Sequence, residues 1–300
     1  TAVGRKSLVT NTTGGSNTAL GLNALFNNTT ASYNTAVGTG CMEANTTGTH
    51  NTGVGYNVLT KNTTASNNTG VGSGALSATT TGISNTAVGK EALEANTTGY
   101  RNVAVGLQSL EANTTGYFNI AVGPHALSLN TTGYHNTGLG FNALAANATT
   151  IENTAVGYNA LAANTAHNNT AVGANALLSN TSGTRNTAVG KNSLDANTTA
   201  DDNTGIGDAA LSANTTGTQN TAVGKNALTS NTTASNNTAV GRNSLYNNTT
   251  ASYNTAVGEN AGNANTTGAH NTSVGARALD ATTTADNNTA IGSAAMSVNT

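Results

Sequence analysis

Apolar residues along this chain follow neither a helical nor a simple alternating period; they return once every 17 residues. The pentapeptide Asn-Thr-Ala-Val-Gly, or a near variant, begins at Asn17, Asn34, Asn51 and Asn68 and keeps that spacing to Asn153. A single 16-residue unit, 153–168, leads to Asn169, and the 17-residue step then resumes as far as Asn288. Eighteen copies result, the first and last incomplete. Numbering each unit from its leading Asn gives 17 columns with the consensus N-T-A-V-G-x-N-A-L-x-A-N-T-T-G/A-x-x. Column four is always Val, Ile or Leu, and column nine is Leu in 15 of 18 copies. These two apolar columns are the expected core, represented by Val37, Val54, Val88, Leu93, Leu110, Leu144 and Leu161.

The constrained stretch is rich in Thr, Val, Asn and Gly, all mediocre or poor helix formers, and column five is Gly in all 18 copies. Helix is therefore disfavoured. Asn-Thr-Ala-Val-Gly reads as a short strand, with Thr and Val on one face and Ala and Gly on the other. Column two accepts Val103 and Ile120 in place of Thr, which suits a β-branched position. A second short strand is expected over Ala-Leu and the residues after it, and Asn-Thr-Thr-Gly/Ala supplies turn chemistry. Two strands and two turns make one coil of a parallel β-solenoid, a β-roll of about 18 coils. At a strand spacing of about 4.8 Å the copies would form a rod on the order of 80 Å long. Like would stack on like, and Asn amides could bond along ladders as in cross-β stacks. The invariant Gly marks a corner with positive φ, or a place where another backbone comes close. Residues 1–300 read as one continuous array which, opening and closing inside a repeat, is expected to be a stretch of a longer one.

Charge sharpens this picture. Of 22 charged residues, 21 fall in columns six, seven, ten, sixteen and seventeen, so those columns face water. A net charge of −2 offers no field for phosphates, which speaks against a nucleic-acid partner. The single Cys41 excludes a disulfide framework and every multi-Cys zinc pattern. No apolar run approaches the roughly 20 residues of a membrane helix. One Val and one Leu per coil make a thin core, so backbone ladders, Asn/Thr networks or contact between chains must add to it. Column three, always Ala, Gly or Ser, forms a stripe of tiny residues suited to close approach, either by the coil's own opposite wall or by another chain. Self-association as a parallel homotrimer or filament is expected on this ground.

The strand pattern NTAVG followed by a small residue and Leu resembles the head repeats of trimeric autotransporter adhesins, and the tandem units are similar to arrays in phage tail-fibre and bacterial surface proteins. The resemblance covers the whole chain. It implies a trimeric parallel β-roll in an extracellular fibre or adhesive shaft, at the cell surface or on a virion, without catalysis.

Three groups of residues are candidates for contact with something else. Asn in column twelve is followed by x-Thr or x-Ser at Asn11, Asn28, Asn45, Asn62, Asn96, Asn113, Asn130, Asn147, Asn180, Asn197, Asn214, Asn231, Asn248 and Asn265. This is the N-glycosylation sequon, and its use would make the chain a glycan-coated scaffold. The competing reading is a turn ladder, which the Thr79 and Thr282 replacements tolerate. Tyr100, Tyr117 and Tyr134 fall in column sixteen of successive units, beside Arg101, Phe118 and His135, and form an aromatic stripe for glycans or a receptor. Thr rows raise ice binding, but column two alternates with a Val expected in the core, which would turn its Thr inward; a flat, uncharged, exposed Thr face would be needed. No catalytic residue, metal site or cofactor is indicated, because the five His lack recurrent carboxylate partners and GxG strings such as Gly70-Val71-Gly72 have no βαβ context.

Overall fold

The computed structural model describes residues 1–297. They form two compact units, 1–152 and 153–297, each a parallel β-solenoid with no helix among the described residues. The first unit holds β1 (Ala2–Val3) and the strands from β2 (Thr18–Leu20) to β9 (Thr137–Leu139). The second holds β10 (Thr154–Val156) to β18 (Thr289–Ile291). Within each unit, successive strands pair in parallel and in strict register: Thr35 lies beside Thr52, Ala36 beside Gly53, and Val37 beside Val54.

Each coil contributes one strand, not two. The Ala-Leu segment is a run of turns because columns seven and nine adopt left-handed backbone, as at Asn23 (φ 59°) and Leu25 (φ 52°). A strand would send neighbouring side chains to opposite faces. The left-handed Leu instead keeps both Ala24 and Leu25 fully buried. Coils are also bonded well beyond the strand: Leu25 N–H donates to the Cys41 carbonyl (3.0 Å), and Thr46 N–H to the Thr63 carbonyl (2.9 Å).

The core is built from a different set than column statistics suggest. Leu93, Leu110, Leu144 and Leu161 are fully buried as expected. Column four is not core: Val54 and Val88 are each 37% exposed, and Val37 is only half-buried. It is the column-three Ala that points inward, as at Ala36 and Ala87, both fully buried. The reason is width. A Cβ placed on Gly53 would stand 2.5 Å from Cys41 Sγ and 3.0 Å from Met42 Cε, so the opposite wall leaves room for little more than a methyl group. The tiny stripe is thus spent on the coil's own interior.

The column-five corner carries both features expected of it. Gly21 has φ of 138°, and a Cβ there would stand 2.5 Å from the Gly38 carbonyl oxygen one coil on. The 16-residue unit loses its residue in the turn between Asn164 and Asn169, where the Asn164 amide reaches Ala166 O at 2.7 Å, two residues on instead of three. Strand register is untouched: Thr154, Ala155 and Val156 still meet Thr170, Ala171 and Val172.

Candidate functional site

Two Asn ladders run inside the coils. In column twelve, Asn45 Nδ2 donates to Asn28 Oδ1 (3.0 Å), Asn62 Nδ2 to Asn45 Oδ1 (2.9 Å) and Asn130 Nδ2 to Asn113 Oδ1 (2.8 Å). The same nitrogens donate to the column-fifteen carbonyl of their own coil, as Asn45 does to Gly48 O at 3.0 Å. Column one forms a second ladder that the sequence did not set apart: Asn34 N–H donates to Asn17 Oδ1 (2.9 Å), and Asn34 Nδ2 to Gly48 O (2.8 Å). Two amides therefore converge on one carbonyl, filling both its lone pairs.

This geometry speaks against the glycan reading of the sequons and for the turn ladder. Asn28, Asn45, Asn62, Asn96, Asn113, Asn130, Asn147, Asn180, Asn197, Asn214, Asn231 and Asn248 are fully buried, Asn265 is 3% exposed, and the half-buried Asn11 donates to Gly14 O and accepts from Asn28. A sugar on Nδ2 would have to replace ladder bonds inside the coil.

The aromatic candidates do come together. Tyr100 stacks on Tyr117 (ring centroids 4.9 Å, 1° between planes), and Tyr117 on Tyr134 (4.7 Å, 4°). Phe118 meets Tyr117 edge-on at 5.7 Å, His135 meets Tyr134 edge-on at 5.1 Å, and the Arg101 guanidinium lies 5.3 Å from the Phe118 centroid. Stacking consumes both faces of Tyr117, so its edge and hydroxyl, not its face, are turned outward. Partial burial and the flanking Tyr134 and Tyr100 push its phenol above the ordinary value. A groove of about 340 Å³ lined by Thr81, Ile83, Thr98, Tyr100 and Arg101 borders the stack.

Outward strand residues make the most regular surface. Columns two and four are half-buried to exposed in every strand, and the column-three residue between them is buried wherever the strand has three residues. Thr in column two therefore points to solvent, contrary to the inward orientation expected of it. Column-thirteen Thr behaves differently: its hydroxyl donates to the next coil's carbonyl, as Thr46 does to Thr63 O at 2.9 Å.

Charged groups form small surface sets. Glu91, Glu94 and Glu111 lie close enough for one cation to span, the only such set among the described residues. Gln108 Nε2 already donates to Glu91 (2.9 Å) and Glu111 (3.2 Å), and Lys90 sits 3.1 Å from Glu91. Partial burial and the neighbouring carboxylates push Glu94 above the usual range, while Lys90 and Gln108 hold Glu91 below it. Columns seven and ten place these groups side by side only once coils are stacked. Arg185 makes a two-pronged pair with Asp202 one coil on (2.6 and 2.9 Å), and Arg242 pairs with Glu259, also one coil on, through a single nitrogen. Among the histidines, His50 stacks on Tyr33 and His270 on Tyr253, rings on rings and not on carboxylates. Burial pushes the Cys41 thiol up to about 12, which leaves it a packing group, not a nucleophile. Among the described residues no helix is long and apolar enough to cross a membrane.

No family model matches the chain, and no curated protein is significantly similar to it.

Proposed function

We propose that the chain is a non-catalytic extracellular scaffold, the shaft of a fibre or adhesin, whose outward columns meet partners many times over. One observation carries this reading: the inward set is nearly constant while the variable and charged residues face out. Columns one, three, nine and twelve repeat almost unchanged within the coil, whereas columns six, seven, ten, sixteen and seventeen carry 21 of the 22 charges and all the Tyr-Phe-His variation just described. A frame that holds itself together from coil to coil leaves its surface free to diversify. Repetition then multiplies any weak contact, so avidity rises with the number of units.

The stacked tyrosines with Arg101, Phe118 and His135 are the strongest receptor or glycan contact in this reading, engaging through ring edges, hydroxyls and the adjoining groove. Copies of the chain would have to meet through outward columns, because column three is spent inside the coil. Protease shaving of intact source cells or virions, followed by mass spectrometry, tests the placement: peptides of this array should be released without lysis. Peptides recovered only after lysis would overturn it.

A further inference from the structure

In the second unit, columns two and four run unbroken and without a charged residue, while charges lie past the Gly corner in column six, at Lys191, Asp208, Lys225, Arg242 and Glu259. Nine strands, from Thr154–Val156 to Thr289–Ile291, each present a Thr in column two and a Val or Ile in column four. Register is strict, Thr221 beside Thr238 and Val223 beside Val240, so the threonines form one row and the larger branched side chains another. Along each row the repeat is about 4.8 Å, and across the strand the two rows stand roughly 6.7 Å apart.

Those hydroxyls are uncommitted. Among the described residues, no column-two Thr of this unit has an intramolecular hydrogen bond through its side chain, while column-thirteen hydroxyls are bonded to the next coil, as Thr198 is to Thr215 O at 3.1 Å. The two Thr columns therefore differ in kind. One is part of the frame; the other is half-buried in eight of the nine strands and exposed in the ninth, with its hydroxyl unbonded within the chain. No charge in either row would hold a competing, mobile hydration shell. Flanking methyls restrict where water can sit, and each hydroxyl can both donate and accept.

We propose that this Thr-Val face is an ice-binding plane, a rigid lattice of hydroxyls and methyls that fixes a layer of water in positions continuous with a crystal surface. Rigidity is supplied by the Asn ladders and by coil-to-coil backbone bonds, which hold when apolar burial weakens on cooling. The first unit is the poorer surface, since Val103 and Ile120 interrupt its hydroxyl row. This function stands apart from the fibre reading and does not depend on it.

The test uses the full 300-residue chain in a nanolitre osmometer, with ice-crystal shape and the gap between melting and freezing as readouts. The unaltered chain should facet crystals and open a gap. Thr221→Lys, at the centre of the row, should lose most of that gap, whereas Thr216→Lys, at an exposed column-fourteen position in the preceding coil, should keep it. Circular dichroism confirms that both variants fold. Absence of faceting and of a gap in the unaltered chain overturns the proposal, as does an equal loss in both variants. Sedimentation supplies the remaining outcome: an oligomer that Thr221→Lys disperses would make the face an interface between copies and overturn ice binding.

Discussion

Gly70 lies directly against Val58: a Cβ added at Gly70 would stand 2.6 Å from Val58 Cγ1. Column eight is usually Ala, and where it grows to Val58 the facing column-three residue shrinks to Gly. The interior thus conserves volume across its two walls. Gly70→Ala should destabilise the fold by about 1–3 kcal/mol through overpacking. Combining it with Val58→Ala should recover most of that loss. Urea titrations of the two single variants and the double variant read the coupling directly; purely additive losses would contradict it.

Asn113 is a central rung of its ladder, donating to Asn96 Oδ1 (2.9 Å) and Gly116 O (3.1 Å) and accepting from Asn130 (2.8 Å). Asn113→Ala strands Asn96 Oδ1 and one N–H of Asn130, while Gly116 O keeps its bond from Asn102 Nδ2, and a cost of about 2–4 kcal/mol is expected. Asn113→Asp, which keeps shape but loses the donors, should be at least as harmful at neutral pH. Expressed in a glycosylating host, these 300 residues should have the intact mass of the bare polypeptide, 29.5 kDa, with no heterogeneous excess.

One site is imperfect in a way that can be repaired. Gly262 replaces the column-nine Leu and Thr282 replaces the column-twelve Asn, leaving a small void of about 10 Å³ beside the unpaired Asn265 Oδ1 and Thr282 Oγ1. Thr282→Asn should supply the missing donor to Asn265. It should add about 1 kcal/mol. Thermal melts of the full chain, with hydrogen exchange to localise the gain, check this.

Asp195 is half-buried, and desolvation pushes its carboxyl above the usual range. Its proton is therefore held more tightly in the folded chain than in the unfolded one. Stability from this group is full below the unfolded carboxylate value and declines as pH rises through the folded value. Asp195→Asn should flatten that part of the pH-stability curve and leave the variant the more stable at neutral pH. A pH series of urea midpoints for both chains shows it; parallel curves would contradict it.

Much of this architecture is legible before any coordinates. The recurrence of Asn-Thr-Ala-Val-Gly sets the coil, the confinement of charge marks the outside, and the invariant column-five Gly announces a left-handed corner that Gly21 duly occupies. Hydrophobicity alone points the strand's Val inward in preference to Ala, and the structure reverses that direction. Here width decides: a coil filled by Leu25, Ala24 and two Asn columns admits only a methyl on its remaining wall. The pairing of Gly53 and Gly70 with the larger Cys41 and Val58 is a signal of that constraint within the sequence itself. The aromatic cluster was foreseeable from column sixteen, but the mutual covering of its ring faces follows only from parallel stacking at one coil's rise. The left-handed Leu had no sequence signal, since such backbone costs on the order of 1 kcal/mol or more and is tolerated because it buries two adjacent side chains at once.

The shortened turn between Asn164 and Asn169 shows which corner can change length while the strands on either side stay in step. Residues grafted at that corner would be carried outward at fixed intervals of one lap, so a peptide tag or fluorophore inserted in chosen repeats would turn either unit into a graduated ruler, with markings set by counting genes' codons instead of by chemistry.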